Sequence, residues 1–350
     1  MRWTVALAAS ASIGLASCAT PVAPVQATYA NPVLDADFPD PAVLKASDGF
    51  YYAYATQTER AGKWINIQVA RSPDLVHWQH LGDALPTKPG WASNTQDFWA
   101  PDVIRQGARY IMYFSAKPNT SDERHGLCLA VATATSPAGP FVDMGHPLQC
   151  GEGFVNIDPM AFDDPATGKH LLYWGSGFEP IKVRELGPDL MSFAPANKPA
   201  NLVWPAPNKS GFPVLVEGSW VIRRGGYYYL FYSGDNCCGP KADYAVMVAR
   251  SRSATGPFET LEQATGKPHS IILEKSSRWI APGHNSAITD AKGQDWIVYH
   301  AVDVNRPREK PSDDLNTRRI MLIDRIEWRN GWPVIAGPSD RPEPAPAPKR

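Results

Sequence analysis

The stretch EGSWVIRRGGYYYLFYSG, residues 217–234, contains a short apolar run, a glycine turn and an aromatic-rich run. β-Branched and aromatic residues on either side of a glycine turn are typical of two paired strands. The same pattern recurs along the whole chain at intervals of roughly 60 residues, longer than a typical propeller-blade period. The first runs are DPAVL at 40, APDVI at 100, DPMAF at 158, EGSWV at 217 and HNSAI at 284. The second runs are FYYAYAT from Phe50, YIMYFSA from Tyr110, HLLYWGS from His170, YYLFYSG from Tyr228 and WIVYHAV from Trp296.

The rest of each repeat completes a unit of about four strands. Third runs such as INIQVARS, LCLAVATA, YAVMVARS and RIMLIDRI precede a turn and an aromatic residue, at Trp78, Phe141, Phe193, Phe258 and Trp328. No long capped segment with helical periodicity interrupts these strands. Five such units predict an all-β fold, a five-bladed β-propeller. One or two β-sandwiches are the alternative, but they do not require both runs to keep one phase in every repeat.

Length and charge limit the class of protein. The chain has 350 residues and a formal net charge of −1, which argues against nucleic acid or an acidic membrane surface as the main partner. We expect one propeller domain over residues 31–338, acting as a monomer. The 12 Trp and 13 Tyr residues exceed the needs of a core and are compatible with stacking on sugars.

Both ends of the chain differ from the repeats. Arg2 precedes an apolar run through Leu15 that is too short to span a bilayer, so residues 1–17 are predicted to be a secretory signal peptide. Leu15 to Cys18 resembles a bacterial lipobox, which predicts a lipid on Cys18 and a periplasmic or cell-surface location on a bacterial membrane. Ordinary cleavage at an Ala-rich site is the alternative. Residues 18–30 are predicted to be a tether, and residues 339–350 a disordered Pro-rich tail.

The other cysteines are Cys128, Cys150, Cys237 and Cys238. Export permits disulfides, but spacing alone leaves their pairing open. None lies in a zinc-binding pattern with nearby histidines.

Five residues open the first strands at one phase of the repeat, and we call them the phase residues: Asp40, Ala100, Asp158, Glu217 and His284. The first strand of a propeller blade lies nearest the axis, so these residues should converge at one end of a central funnel. The loops between second and third strands return to that face, at 117–126, 236–243 and 305–319. Trp99, just before Ala100, is placed either to stack on a sugar ring or to pack between blades.

Three carboxylates in one funnel indicate acid–base chemistry. Two charges about 7 Å apart at an effective dielectric near 20 repel by roughly 2.4 kcal/mol, enough to raise the pKa of a glutamic acid towards about 6. Glycoside hydrolysis needs such a pair, in which one carboxylate activates water and a protonated partner supplies a proton. Taken singly, Asp before Pro is also an ordinary turn feature, and Glu before Gly can simply bind a loop amide.

The ordered motifs DFPDPAV, DFWAPDV, NIDPMAF, VEGSWVI, PGHNSAI and RIEWRNGWPV resemble those of glycoside hydrolase family 43, from Asn31 to Gly337. The resemblance implies a five-bladed propeller and an inverting mechanism. It implies that Asp40 is the general base, Glu217 the general acid, and Asp158 the residue that orients the acid and raises its pKa. The resemblance further implies these positions: His284 beside a hydrated calcium or similar ion, Trp99 in an aromatic wall, and Asn156, Arg318 or Arg319 near the sugar.

The family resemblance favours an arabinan or arabinofuranoside hydrolase, because the WAPD, GHN and CC-containing segments are closer to arabinan-active members. A β-xylosidase of the same family is the alternative, so the expected partner is an arabinose- or xylose-containing saccharide. Internal and chain-end cleavage both stay open. Two other classes are a non-catalytic sugar-binding propeller and a retaining fructan-type hydrolase, whose WMNDPNG-type motif differs from DFPDPAV.

Overall fold

The structure is a computed structural model, and it describes residues 1, 3, 27–120, 122, 125–195, 198–206, 208–209, 211–310 and 316–347. Five antiparallel sheets with sequential strand order form its main architecture. The predicted five-bladed β-propeller is confirmed. Among the described residues, no helix has the length and hydropathy needed to cross a bilayer.

Each blade has four strands that follow one another in the chain. Blade 1 comprises Ala42–Lys45, Tyr51–Ala55, Gln68–Ser72 and Gln79–Asp83. Blade 2 comprises Phe98–Gln106, Arg109–Ala116, Cys128–Ala134 and Val142–Asp143. Blade 3 comprises Met160–Asp163, His170–Trp174, Ile181–Glu185 and Ala200–Val203. Blade 4 comprises Val216–Arg224, Tyr227–Asn236, Asp243–Ser251 and Glu259–Thr260. Blade 5 comprises Trp279–Thr289, Asp295–Asp303, Ile320–Arg329 and Trp332–Ile335.

Short elements decorate the blades. Two further strands, Gln149–Cys150 and Ile271–Leu273, pair with the third strands of blades 2 and 4. A hairpin of Thr58–Arg60 and Lys63–Ile65 rises between the second and third strands of blade 1. The described helices are the five-residue α-helix Leu261–Thr265, closed by a capping box from Thr260, and the 3₁₀ helices Gly90–Ala92 and Phe212–Val214.

The hydrophobic core lies between neighbouring blades. Side chains on the two faces of each sheet alternate, so a blade packs on both neighbours through β-branched and aromatic residues. Tyr51 and Ala53 of blade 1 share one buried cluster with Val298 and Met321 of blade 5. That contact closes the ring without a further blade.

The two ends of the described chain form a sheet of their own. Thr28–Tyr29 pairs antiparallel with Glu343–Pro344, and Tyr29 Oη donates to the Ile323 carbonyl at 3.0 Å. Ordered structure therefore extends past the predicted boundaries at 30 and 339, since main-chain pairing and a buried Tyr hold these segments on blade 5. The predicted signal peptide and the lipid site at Cys18 lie outside the described residues.

This terminal sheet runs along blade 5 away from the funnel. The N–H of Phe38 donates to the Arg319 carbonyl, and further back Asn31 bonds to Ile323. The Ala347 N–H donates to Asp290, in the turn between the first two strands of blade 5. Because that turn lies at the far end of the blade, the tether begins on the face opposite the phase residues.

The four cysteines of the described chain form two disulfides. Cys128 and Cys150 stand directly opposite each other on paired strands and are bonded. Cys237 and Cys238 are bonded as neighbours in the loop after the second strand of blade 4.

Candidate active site

The phase residues share an unusual backbone conformation. Asp40, Ala100, Asp158 and His284 have φ of 58°, 46°, 60° and 45°, and in blade 4 the following residue, Gly218, has φ of 61°. Left-handed φ at non-glycine residues costs energy and is concentrated at functional sites. The strand register also shifts beside the phase residue in blades 2, 4 and 5. The repeat thus turns each first strand sharply as it reaches the axis.

Hydrogen bonds from one blade to the next hold these turns. In four of them, a side chain near the end of a second strand accepts the main-chain N–H of the phase residue on the following blade. The bonds are Ala100 N to Thr56 Oγ1 at 2.8 Å, Asp158 N to Ser115 Oγ at 3.2 Å, His284 N to Ser233 Oγ at 2.8 Å and Asp40 N to His300 Nδ1 at 3.1 Å. The last bond joins blade 5 to blade 1, so ring closure itself positions Asp40.

Asp40 is buried among donors and cations. Thr56 Oγ1 donates to its Oδ2 at 2.5 Å, and Arg319 Nη1 donates to its Oδ1 at 3.0 Å. The Nδ1 atoms of His284 and His300 lie 3.3 and 3.2 Å from Oδ1. Burial by itself raises the pKa of Asp40, but the guanidinium of Arg319, the largest opposing effect, holds this pKa well below its usual range. Asp40 is therefore a carboxylate near neutral pH.

Glu217 receives two hydroxyl groups. Ser176 Oγ donates to its Oε2 at 2.5 Å and Tyr244 Oη to its Oε1 at 2.8 Å. Neighbouring Asp158 accepts the Gly218 N–H through Oδ2 at 3.0 Å. Gly218 has no side chain, and a Cβ there would lie 3.2 Å from His284 Cγ. Backbone and side chains thus bring Asp40, Asp158 and Glu217 into one group, as predicted.

Asp158 and Glu217 titrate as a pair. Burial and the charge of Glu217 raise the pKa of Asp158 well above its usual range. Burial also raises the pKa of Glu217, against the lowering effect of the Ser176 and Tyr244 hydroxyls. Two buried carboxyl groups that repel each other retain a shared proton, so we treat the raised pKa as a property of the pair. The funnel holds one ionised carboxylate and one proton-bearing pair.

His284 is a neutral ring at the centre of this group. Burial lowers its pKa, although Asp40 opposes that effect. Its Nδ1 is 3.3 Å from Asp40 Oδ1 and 3.9 Å from Asp158 Oδ2. It therefore lies between base and pair, consistent with its predicted central position.

The two predicted arginines have different environments. Arg319 reaches Asp40, whereas Arg318 is 2% exposed and forms ion pairs with Asp35 and Glu309 at 2.5 and 2.9 Å. Arg319 rather than Arg318 therefore reaches the phase residues, because consecutive side chains leave an extended backbone in opposite directions, and the predicted contact of an arginine with the sugar stays a prediction.

The aromatic wall contains a second ring. Trp99 is partly buried, and its ring centroid lies 6.2 Å from that of Phe154, which is 50% exposed. Asn156 is 2% exposed, and its Oδ1 accepts from Gln149 and from Trp174 Nε1. Asn156 is therefore held inside the fold by these two donors, whereas Trp99 and Phe154 are partly exposed.

The predicted ion near His284 stays a prediction. In the described chain no three His, Cys, Asp or Glu side chains are grouped to bind a metal directly. Ser219 Oγ and both amide atoms of Asn285 are buried without a protein partner, which suits water-mediated contacts. They line a cavity of about 10 Å³ beside His284, close to the lower limit for one water molecule. We therefore derive no chemical step from an ion.

Several contacts were not recognised from the sequence: Thr56, Ser176, Tyr244 and His300. Thr56, Ser176 and His300 are polar residues near the ends of the aromatic second runs FYYAYAT, HLLYWGS and WIVYHAV. Thr56 and His300 each lie 16 residues after the phase residue of their blade (40 to 56 and 284 to 300), and this regular spacing is the sequence signal that could have identified them. Ser176 lies 18 residues after Asp158 and does not share it. Tyr244 has no such signal, since it is one aromatic residue among many in strand Asp243–Ser251.

Comparisons with known proteins agree with this geometry. Residues 29–333 match the model of Glycosyl hydrolases family 43. The chain is 30% identical over 323 residues to the beta-D-galactofuranosidase xynD of Aspergillus niger, covering 87% of this chain and 84% of the relative. It is 27% identical over 331 residues to the extracellular exo-alpha-(1->5)-L-arabinofuranosidase ArbA of Cellvibrio japonicus, covering 85% and 86%.

A solved thermostable family-43 glycoside hydrolase superposes with a TM-score of 0.73 at 29% identity, covering 92% of this chain and 100% of that one. The family match spans the five blades and all five phase residues. The chain is therefore a glycoside hydrolase that belongs to glycosyl hydrolases family 43.

Proposed function

We propose that this protein hydrolyses α-L-arabinofuranosyl linkages with inversion at the anomeric carbon. One observation carries the assignment: Asp40 is held ionised by Arg319 while the Asp158–Glu217 pair, in the same buried group, retains a proton. These are the two protonation states that an inverting glycosidase requires at one time.

Asp40 acts as the general base. It takes a proton from a water molecule whose oxygen attacks the anomeric carbon, while the bond from that carbon to the leaving oxygen breaks. Glu217 gives its proton to the leaving oxygen and becomes a carboxylate. Asp158, whose pKa is raised by burial and by Glu217, accepts the Gly218 N–H next to the acid and orients it. Attack and departure on opposite faces of the ring invert the configuration.

The choice of sugar rests on the relatives. The names of two of them specify five-membered ring sugars, arabinofuranose and galactofuranose. The funnel wall of Trp99 and Phe154 supplies a flat aromatic surface for a sugar ring. We therefore place α-L-arabinofuranosyl links first, with β-D-xylosyl and β-D-galactofuranosyl links as the outcomes to distinguish.

The test compares the protein with its Glu217→Gln and Asp40→Asn variants. Substrates are linear 1,5-α-arabinan, arabinoxylan, and the nitrophenyl α-L-arabinofuranoside, β-D-xyloside and β-D-galactofuranoside. We expect Asp40→Asn to be inactive on every substrate that the wild-type protein hydrolyses. We expect Glu217→Gln to lose far more activity on polysaccharide than on nitrophenyl glycosides, because nitrophenolate needs little protonation as it leaves. Oligomers from arabinan indicate internal cleavage, and arabinose alone indicates cleavage from chain ends.

Anomeric configuration of the first product tests the mechanism directly. Inversion of an α-arabinofuranoside gives the β-anomer, observable by proton NMR before mutarotation. Retention of the anomeric configuration would contradict the inverting mechanism. Equal losses of activity of Glu217→Gln on polysaccharide and on nitrophenyl glycosides would contradict its role as the general acid.

We further propose that the protein is exported and carries a lipid on Cys18. The Leu15–Cys18 sequence motivates this proposal. Ala27, within the predicted tether of residues 18–30, accepts the Ala345 N–H close to Asp290, on the face opposite the funnel. An anchor there leaves the funnel open to polysaccharide. Mass spectrometry of the mature N-terminus tests it: a diacylglyceryl Cys18 supports the lipid, and an unmodified N-terminus at another residue excludes it.

A further inference from the structure

Tyr244 contacts the acid side of the candidate site. It is fully buried in the third strand of blade 4, and its hydroxyl donates to Glu217 Oε1 at 2.8 Å. Burial and the nearby carboxylates raise the pKa of Tyr244 well above 10, so the phenol keeps its proton at every pH of enzymatic interest. The contact to Glu217 is therefore a permanent one.

The ring of Tyr244 contacts the base side. It stacks on His300 with centroids 5.9 Å apart and planes 4° from parallel. His300 is fully buried, and its Nδ1 lies 3.1 Å from the Asp40 main-chain nitrogen and 3.2 Å from Asp40 Oδ1. Burial lowers the pKa of His300 to about 4, so it presents a neutral ring to Tyr244.

The backbone of blade 5 closes over this stack. A Cβ at Gly283 would lie 2.1 Å from Tyr244 Cδ1. Only glycine permits the strand to pass so close, and the next residue is His284. The tyrosine ring is thus clamped between Gly283 and His300 and has no room to tilt.

We propose that Tyr244 is a positioning residue that holds Glu217 and Asp40 at a constant separation, through its hydroxyl on one side and its stacked ring on the other. Carboxyl separation distinguishes inverting from retaining catalysis, since an inverting site must leave room for water. Tyr244 acts as the rigid spacer that keeps this room. The proposal rests on the proposed function, because it assumes that Glu217 and Asp40 are acid and base.

The groups facing Glu217 are the hydroxyls of Ser176 and Tyr244 and the charged side chains of Asp158, Asp40 and Arg319. Tyr244 and Ser176 each hold one carboxyl oxygen of Glu217. Loss of the Tyr244 hydroxyl releases Oε1, so the carboxyl group is less well aimed at the leaving oxygen. The loss of rate should therefore be largest for leaving groups that most need a proton.

The experiment uses the full chain with Tyr244→Phe, which removes only the hydroxyl, and His300→Asn, which keeps an acceptor for the Asp40 N–H but removes the stacking surface. Tyr173→Phe is the control, since Tyr173 is equally buried and its hydroxyl bonds to the Ala254 carbonyl. Rates are measured on aryl α-L-arabinofuranosides of graded leaving-group pKa and on linear arabinan, across pH.

We expect Tyr244→Phe to lower kcat on poor leaving groups by roughly 10- to 100-fold, with KM nearly unchanged and a much smaller loss on good leaving groups. His300→Asn should lower kcat about equally for all leaving groups, because it disturbs the base. Tyr173→Phe should lower only Tm. An equal loss on good and poor leaving groups, or a loss that Tyr173→Phe reproduces, overturns the positioning role. A Glu217→Gln variant that is inactive on linear arabinan, together with a wild-type-like Tyr244→Phe, overturns only this inference, whereas a Glu217→Gln variant that hydrolyses arabinan at the wild-type rate overturns the proposed function itself.

Discussion

The guanidinium of Arg319 lies 3.0 Å from the carboxylate of Asp40 and couples the long loop of blade 5 to the base of the site. The adjacent Arg318 points away, into ion pairs with Asp35 and Glu309. Two consecutive arginines therefore offer a matched pair of variants.

Arg319→Met should move the acid limb of the pH–activity profile to higher pH. Activity requires ionised Asp40 and is lost as pH falls through its pKa, which Arg319 holds low despite the opposing effect of burial. Removal of the cation raises that pKa, so activity is lost at a higher pH. The pH dependence of kcat/KM on nitrophenyl arabinofuranoside measures the change.

Arg318→Met is the control for that variant. It removes a buried cation from the neighbouring position but leaves the contact between Arg319 and Asp40 intact. We therefore expect Tm to fall while the acid limb of the pH–activity profile stays in place. Equal movement of the limb in both variants would show that the loop acts as a whole.

Trp99→Ala should weaken binding more than chemistry. The ring forms a wall with Phe154 and, among the described residues, makes no hydrogen bond to the carboxyl groups, so we expect KM on arabino-oligosaccharides to rise about 10-fold with kcat within about threefold. Trp99→Phe should recover part of the loss, because it keeps an aromatic face. Unchanged KM in Trp99→Ala would assign the ring to blade packing alone.

Asp102→Asn should stabilise the fold at alkaline pH. Burial raises the pKa of Asp102 to about 7, and the main-chain N–H groups of Ala161 and Val103 only partly oppose this. The folded state binds the proton more tightly than the unfolded chain, so stability is greatest below the unfolded pKa and falls as pH rises towards about 7. Once Asp102 is fully ionised, the free energy of unfolding is lower by about 4 kcal/mol than when it is protonated. We expect the Tm difference between variant and wild type to grow from about pH 4 to about pH 8, and a constant difference would contradict the assignment.

Prolonged chelation tests the predicted ion at His284. If a hydrated divalent ion is held through His284 and the buried Asn285 and Ser219, a chelator followed by desalting should lower kcat or Tm, and calcium should restore it. His284→Gln should remove the response to calcium. Identical activity and Tm after exhaustive chelation would exclude an exchangeable ion.

Much of the site was predictable because its carboxyl groups occupy the same position in successive repeats. Asp40, Asp158 and Glu217 share a phase with Ala100, and the structure brings the three carboxylates together with His284 as that phase required. The hydrogen bonds that hold these residues come from the second strands, through side chains such as Thr56 and His300. These two positions also recur regularly in the sequence, but their role was not predicted.

Other features depend on register and on distant partners. The direction in which Arg318 and Arg319 point follows from where the long loop rejoins strand Ile320–Arg329, and a slip of one residue would exchange them. The Pro-rich tail lacks an apolar pattern, yet Glu343–Pro344 is ordered because Thr28–Tyr29 offers a strand edge. Tyr244 became significant only through contacts to Glu217 and His300, on different strands.

Strand periodicity and a repeated phase are local properties of the chain, so they sufficed to predict the number of blades, the strand order within them and the carboxyl groups at the axis. The tertiary structure alone decided the protonation states and the bracing of the site. Those depend on burial and on charges and donors from other blades, such as Arg319 beside Asp40 and Tyr244 beside Glu217. Residues far apart in the chain meet there only once blade 5 packs against blade 1 and the ring closes.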